Sequence, residues 1–197
     1  MKKTLLFSLA LLVSTVALAA PPAPPPQPQG LPQPKIVVIN RNAILQFSKV
    51  GQDIGRQVQA LSNQAKADIN AQAKSLETQG QALQQQIAIL SPDAKAAKVK
   101  DFESKQAALQ AQVQKKEGLI QGGLLQAQNA VAQALQPILA QLMQQRGANM
   151  ILDKNAVMMA NDNRFDITQP AIDMLNQKMS TYKVQLVAPP PGMQPQQ

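Results

Sequence analysis

Two long series of apolar residues, spaced three and four positions apart, fill the middle of this chain and leave it few folds. The first runs Ile54, Val58, Leu61, Ala65, Ile69, Ala73, Leu76, Leu83, Ile87 and Leu90, with Gly80 in the missing place. The second runs Val99, Phe102, Gln106, Leu109, Val113, Lys116, Ile120, Leu124, Ala127, Val131, Leu135, Ile138 and Leu142. This spacing keeps one face of a helix apolar. Both series mostly alternate three and four, as a coiled-coil seam does, and an extra residue near Ala65 and near Ile120 locally unwinds the supercoil. Between them Ser91 is placed to cap a new helix, Pro92 suits its first position and Asp93 favours its positive end. The two series therefore predict an antiparallel helical hairpin with its tip at Leu90-Ser91-Pro92-Asp93. At 1.5 Å per residue a helix over residues 54–90 is about 55 Å long, more than a small globular body needs, so the hairpin projects. Its surface is mostly Gln and Ala, good helix formers that bury little. Gly118, Gly122, Gly123 and Pro137 interrupt the second arm and predict a bend there.

The ends of the chain set its compartment. Met1-Lys2-Lys3 is cationic, an apolar run follows to about Leu18, and Ala17-Leu18-Ala19 has the small-x-small pattern of a signal peptidase site. Residues 1–20 read as a secretory signal peptide, and the run is short for a membrane span of about 20 residues. Loss of Lys2 and Lys3 takes the net charge from +8 to +6, so the exported chain stays basic. A basic chain is drawn to acidic polypeptides, anionic membrane surfaces or nucleic acid. Export, the lack of basic tracts and 3% aromatic residues argue against nucleic acid. No Cys and no His are present, which excludes thiol nucleophiles, disulfides, the usual zinc and haem ligands and an imidazole base. No G-x-x-x-x-G-K-[ST] phosphate loop occurs either, so no cofactor and no nucleotide-driven step are expected. Residues 21–34 are proline-rich and read as an extended linker, matched by a Pro/Gln-rich tail over residues 188–197.

The remaining segments predict a small β-rich body made of residues 35–53 and 147–187, with the hairpin over residues 54–146 inserted between its halves. Ile36, Val37, Val38 and Ile39 form a β-branched run suited to a strand buried on both faces. Residues 43–49 read as a short helix, with Gly51 and Gly55 as a joint before the arm. Gly147 is placed to close the second arm. Residues 149–153, with Ile151 and Leu152, read as a second strand, residues 157–160 as a third, and residues 171–183 as a last helix. The fold class is α+β, a small strand body carrying a long helical arm.

These segments, in this order, resemble the Skp/OmpH family of periplasmic chaperones for outer-membrane proteins. The resemblance rests on the strand Lys35-Ile36-Val37-Val38-Ile39-Asn40, the segment Ala43-Ile44-Leu45, the run Met150-Ile151-Leu152-Asp153-Lys154-Asn155-Ala156-Val157-Met158-Met159-Ala160 and the helix entry Asp166-Ile167-Thr168, and covers residues 35–183. It implies a homotrimer joined through a β-barrel core, with three hairpins around a cavity for an unfolded client. Ile36, Val37, Val38, Ile39, Ile151 and Leu152 would then build the trimer body. Two departures stand out: the tip, with Lys95, Lys98, Lys100 and Lys105 against Asp93, Asp101 and Glu103, is only slightly basic for such an arm, and glycines interrupt the second arm.

No paired acid and base at a catalytic spacing is visible, so the chain does not read as an enzyme. The acidic group Asp153, Asp162 and Asp166 with Asn161 and Asn163 lacks the glycine and terminal Glu of a calcium loop and fits turns and caps better. Met143, Met150, Met158, Met159, Met174 and Met179 read as core filling rather than a sticky surface. Lys116, on the apolar seam, is expected to snorkel. The leading expectation is an ATP-independent periplasmic holdase for unfolded outer-membrane or envelope proteins. Leu76, Leu83, Ile87, Lys95, Lys98, Phe102, Lys105 and Leu109 are its candidate client contacts. A coiled-coil scaffold of the cell envelope and an amphipathic protein on an anionic membrane surface remain the alternatives.

Overall fold

The computed structural model describes residues 33–158 and 162–190. The expected signal peptide, the expected linker as far as residue 32 and the tail from residue 191 lie outside the described residues. Among the described residues the chain is mostly helical, with one two-stranded sheet. In order it forms β1 (Ile36–Ile39), α1 (Arg41–Phe47), α2 (Lys49–Gln86), α3 (Pro92–Arg146), β2 (Met150–Asp153) and α4 (Thr168–Lys178), with two short 3-10 turns at Lys154–Ala156 and Asn163–Phe165.

β1 and β2 pair in parallel, Val37 opposite Ile151 and Val38 opposite Leu152, so the whole hairpin is the crossover between them. The other edge of β1 receives Asp166 and Ile167, whose N–H donates to the Val38 carbonyl at 2.9 Å. β1 is thus flanked on both edges, and Val37, Val38 and Ile39 are buried, as its unbroken β-branched run predicts. The expected third strand is not seen: Lys154–Ala156 form a 3-10 turn, Val157 and Met158 are in no strand, and residues 159–161 lie outside the described residues. The Asp153 carboxylate explains the turn, since it accepts the Asn155 N–H at 3.0 Å and pulls the chain out of extension.

Ser48 joins α1 to α2. It ends α1, is fully buried, and its hydroxyl accepts the Gly51 N–H at 3.1 Å to cap α2. The long helix therefore starts at Lys49, and Gly51 and Gly55 lie inside it instead of forming a joint. Gly51 serves packing: a Cβ there would lie 1.8 Å from the Leu45 carbonyl oxygen, so only glycine lets α1 fold back so closely. At the tip α2 ends at Gln86, and Ser91 caps α3 through the Ala94 N–H, with Pro92 first in the helix. α3 then runs unbroken through Pro137 to Arg146, about 80 Å of helix, and closes on Gly147 at φ 60°. α4 ends at Lys178, short of the expected residue 183, and residues 179–190 continue without regular structure.

One core joins the body to the hairpin root. Ile44, Val50 and Ile54 meet Val131, Leu135, Ile138 and Leu142 of α3 and Ile167, Ile172 and Leu175 around α4. At about 1.5–3 kcal/mol per fully buried aliphatic side chain, this cluster dominates the stability of the fold. None of residues 55–117 is buried, so the rest of the arms holds together on helix propensity and half-buried contacts.

Val184, beyond the last helix, is also buried in this core. Residues 182–189 lie as an extended strap over α3. A Cβ on Gly122 would lie 2.1 Å from the Val187 carbonyl oxygen, and one on Gly123 2.1 Å from that of Gln185. Gly122 and Gly123, within the stretch of α3 expected to bend, clear a bed for another stretch of backbone. Ala188 and Pro189, the first residues of the expected Pro/Gln-rich tail, lie against α3 at Gly118 and Gly122.

Candidate functional site

The hairpin arms carry the chain's unusual chemistry, because their apolar seam is only half closed. α2 and α3 run antiparallel in a constant register: Lys98 Nζ donates to Gln86 Oε1 at 2.8 Å, Lys105 Nζ to Gln79 Oε1 at 3.1 Å, and Lys116 Nζ to Asp68 Oδ2 at 2.6 Å. Each step towards the body on α2 is matched by an equal step on α3. Leu76, Leu83, Ile87, Phe102 and Leu109 all face this seam, and each stays partly exposed. Gly80 leaves room for Phe102, whose ring tip lies 3.0 Å from where a Cβ would stand.

Shallow grooves flank the seam on both sides of the hairpin. One of about 1010 Å³ is lined by Ile69, Leu76, Leu109 and Val113 together with Glu103, Gln106, Gln110 and Gln114. A second of about 410 Å³ is lined by Leu83, Ile87, Phe102 and Gly80. Two smaller ones, about 280 and 220 Å³, expose Leu76 with Leu109 and Leu83 with Phe102 a second time. Four of the five apolar candidates are therefore reachable from more than one groove. Lys105 lines both smaller grooves and Lys98 one of them, so these cations stand beside the apolar floor. Lys105 is partly neutralised by Asp101 at 2.8 Å. Lys95 is exposed and lines none of these four grooves.

The body candidates occupy the sheet. Val37 and Ile39 point into the core, while Ile151 and Leu152 on β2 are half-buried. β2 pairs with β1 along one edge, and Met150 at its start is exposed. Phe47 and Phe165 are exposed on the same body, at 58% and 47%.

The carboxylates of the body are spoken for. Asp153 takes Arg41 at 2.8 Å, Asp166 takes Lys154 at 2.7 Å, and Asp162 takes Arg164. The Asn155 N–H and then Arg41 hold Asp153 below the ordinary carboxyl value, and the Arg164 side chain does the same for Asp162. At Asp166 burial pushes upward, but Lys154 and Thr168 outweigh it and the pKa is lowered. Asp166 also accepts the Thr168 N–H at 2.8 Å, the helix-entry role expected of it, whereas the Thr168 hydroxyl turns away to accept the Asn40 N–H at 2.9 Å.

Sequence reasoning missed two features. Lys116 pairs with Asp68 across the arms instead of merely snorkelling; Lys116, then Gln64, hold the Asp68 carboxyl below its ordinary value. The strap was missed as well. Its signal was present in Gly118, Gly122 and Gly123, small residues on neighbouring helix positions that admit a close backbone.

Residues 35–175 match the profile of the family described as outer membrane protein (OmpH-like). The chain belongs to the OmpH-like family. Its fold is also that of a crystal structure from Caulobacter crescentus CB15, described as a candidate outer membrane chaperone (OmpH-like), at a TM-score of 0.71. That protein is 21% identical, and the match covers 80% of this chain and 92% of the other. No curated protein matches the sequence. The strap of this OmpH-like chain begins after residue 175, beyond the family match. Among its described residues no helix is long and apolar enough to cross a membrane.

Proposed function

We propose that this OmpH-like chain is an ATP-independent holdase of the periplasm, which binds unfolded outer-membrane or envelope proteins along its helical arms and prevents their aggregation. The observation that carries this reading is the half-closed seam. Leu76, Leu83, Ile87, Phe102 and Leu109 are sheltered enough to keep the arm soluble and exposed enough to meet a second apolar chain. Each contact is weak, and many weak contacts along two arms add up to avidity while still allowing release. Lys95, Lys98 and Lys105 supply positive charge near the tip for acidic segments of a client. The family membership, and the description of the Caulobacter protein that shares the fold, support the same role.

The arm, residues 54–146, does the holding in this reading, and the body, residues 35–53 and 147–187, assembles three copies into a homotrimer around a cavity. Among the described residues β2 has no strand on its second edge, and this edge with the exposed Phe47, Met150 and Phe165 supports assembly through that body. Residues 1–20 direct export and are removed. Holding requires no bond to be made or broken, so neither catalysis nor a cofactor enters.

The test is light scattering on the protein lacking residues 1–20, alone and after a urea-unfolded outer-membrane β-barrel is diluted into it. A trimer that keeps the barrel protein in a discrete soluble complex supports the proposal. A monomer that leaves it to aggregate contradicts it.

A further inference from the structure

The strap is bound in a way that reads backbone and ignores most side chains. The Gln57 side-chain amide donates to the Tyr182 carbonyl at 2.8 Å and accepts the Val184 N–H at 2.9 Å. Those are the two groups that a parallel neighbouring strand would engage around residue 183, so Gln57 stands in for one residue of such a strand. Asp53 fixes that amide by accepting its second N–H at 2.7 Å. On the other side of the strap, Gly122 and Gly123 make room for the carbonyls of Val187 and Gln185, where any side chain would collide. One side chain, Val184, is buried, while Lys183 and Gln185 are exposed.

The occupant has a recognisable pattern. Tyr182, Val184 and Leu186 alternate with Lys183 and Gln185, the period-two apolar and polar alternation of a membrane β-barrel strand. The site thus accepts an extended segment of that pattern with little demand on its sequence. That is the property needed to hold unfolded chains of many sequences.

We infer that the groove formed by Gln57 and Asp53 of α2 and Gly122 and Gly123 of α3 is a binding site for extended β-strand segments of unfolded polypeptide, and that residues 182–189 are its resident occupant, exchanged for client. The inference rests on the holdase reading and adds a second place of contact, at the root of the arms. An emptied groove would present an unpaired amide and bare helix backbone, so the resident strap covers it until a client segment arrives. Exchange costs little beyond the burial of Val184, because an incoming alternating segment restores the same two hydrogen bonds.

Amide hydrogen exchange on the full mature chain, with and without a urea-unfolded outer-membrane β-barrel, tests this, with complex formation followed by light scattering on the same samples. A complex in which exchange at Val184 quickens by about tenfold or more is expected. A complex that leaves Val184 as protected as before overturns the inference and leaves the holdase reading intact. If no complex forms, the holdase reading fails and the inference falls with it. In the same assay a peptide of residues 180–190 in excess is expected to reduce the client held, and the same peptide carrying Val184→Pro, which offers no N–H to the Gln57 side chain, to leave it unchanged. Equal effects of the two peptides, or none from either, contradict a site that reads the strand backbone.

Discussion

Gly55, Gly122 and Gly123 sit in similar helical surroundings, and what lies next to each decides its role. A Cβ at Gly55 meets nothing within 4 Å, so Gly55→Ala removes a helix-breaking residue without cost. It should raise stability by about 0.5–1 kcal/mol, read from the denaturation midpoint. Gly123→Ala brings the same gain in helix propensity but drives a methyl group to 2.1 Å from the Gln185 carbonyl. A strap with no regular structure of its own yields more easily than a helix, so the strap should leave its bed and Val184 should lose its burial, worth about 1.5–3 kcal/mol. A net loss of about 1 kcal/mol remains after the propensity gain. Faster trypsin cleavage after Lys183 would report the release directly, whereas an unchanged cleavage rate would mean that the carbonyl moves aside in place.

At the scale of elements, the arms depend on few cross-links, and one of them titrates. Lys116 holds the Asp68 carboxyl below its ordinary value of 3.8, and Asp153, Asp162 and Asp166 are also lowered by their partners. A lowered folded pKa gives stability that is whole above the ordinary value and is lost as pH falls through the folded one. Helicity and melting temperature should therefore be level down to about pH 4 and fall below it. Asp68→Asn should remove the part of that fall that belongs to the arms, leaving a shallower acid limb, and an unaltered acid limb would remove Asp68 from the account. The hairpin was legible in the sequence because three-and-four spacing is a direct consequence of helix geometry, and Ser91, Pro92 and Gly147 punctuate it by local chemistry alone. β1 was legible because burial on both faces demands an unbroken apolar run. The third strand was misread because Val157 and Met158 look like strand residues, while the Asp153 side chain captures the Asn155 N–H and turns the chain first. The bed at the glycines was missed because the strap that covers them comes from residues some sixty positions further along, a contact that no local pattern reveals. The candidate contacts on the arms were found as a stripe, but their half-exposure depends on how tightly two Ala/Gln helices close, which spacing does not determine.

For the whole molecule, the proposed holding surface and the buried core are located in different places. The buried cluster sits at the hairpin root and in the body, while the grooved seam beyond Val58 contains no fully buried side chain. Changes on the seam should therefore weaken client binding with little effect on the fold, the reverse of what core changes do. Ile138→Ala, in the buried cluster, should cost about 2–5 kcal/mol and lower the melting temperature of the entire chain. The central claim is that the half-closed seam is the surface that holds clients, and the most direct measurement is retention of a urea-unfolded outer-membrane β-barrel by a Leu76→Gln, Phe102→Gln, Leu109→Gln variant. The account predicts a melting temperature for the body close to that of the parent protein and a client that aggregates. A variant that keeps the client as soluble as the parent does, with its helicity intact, would contradict it.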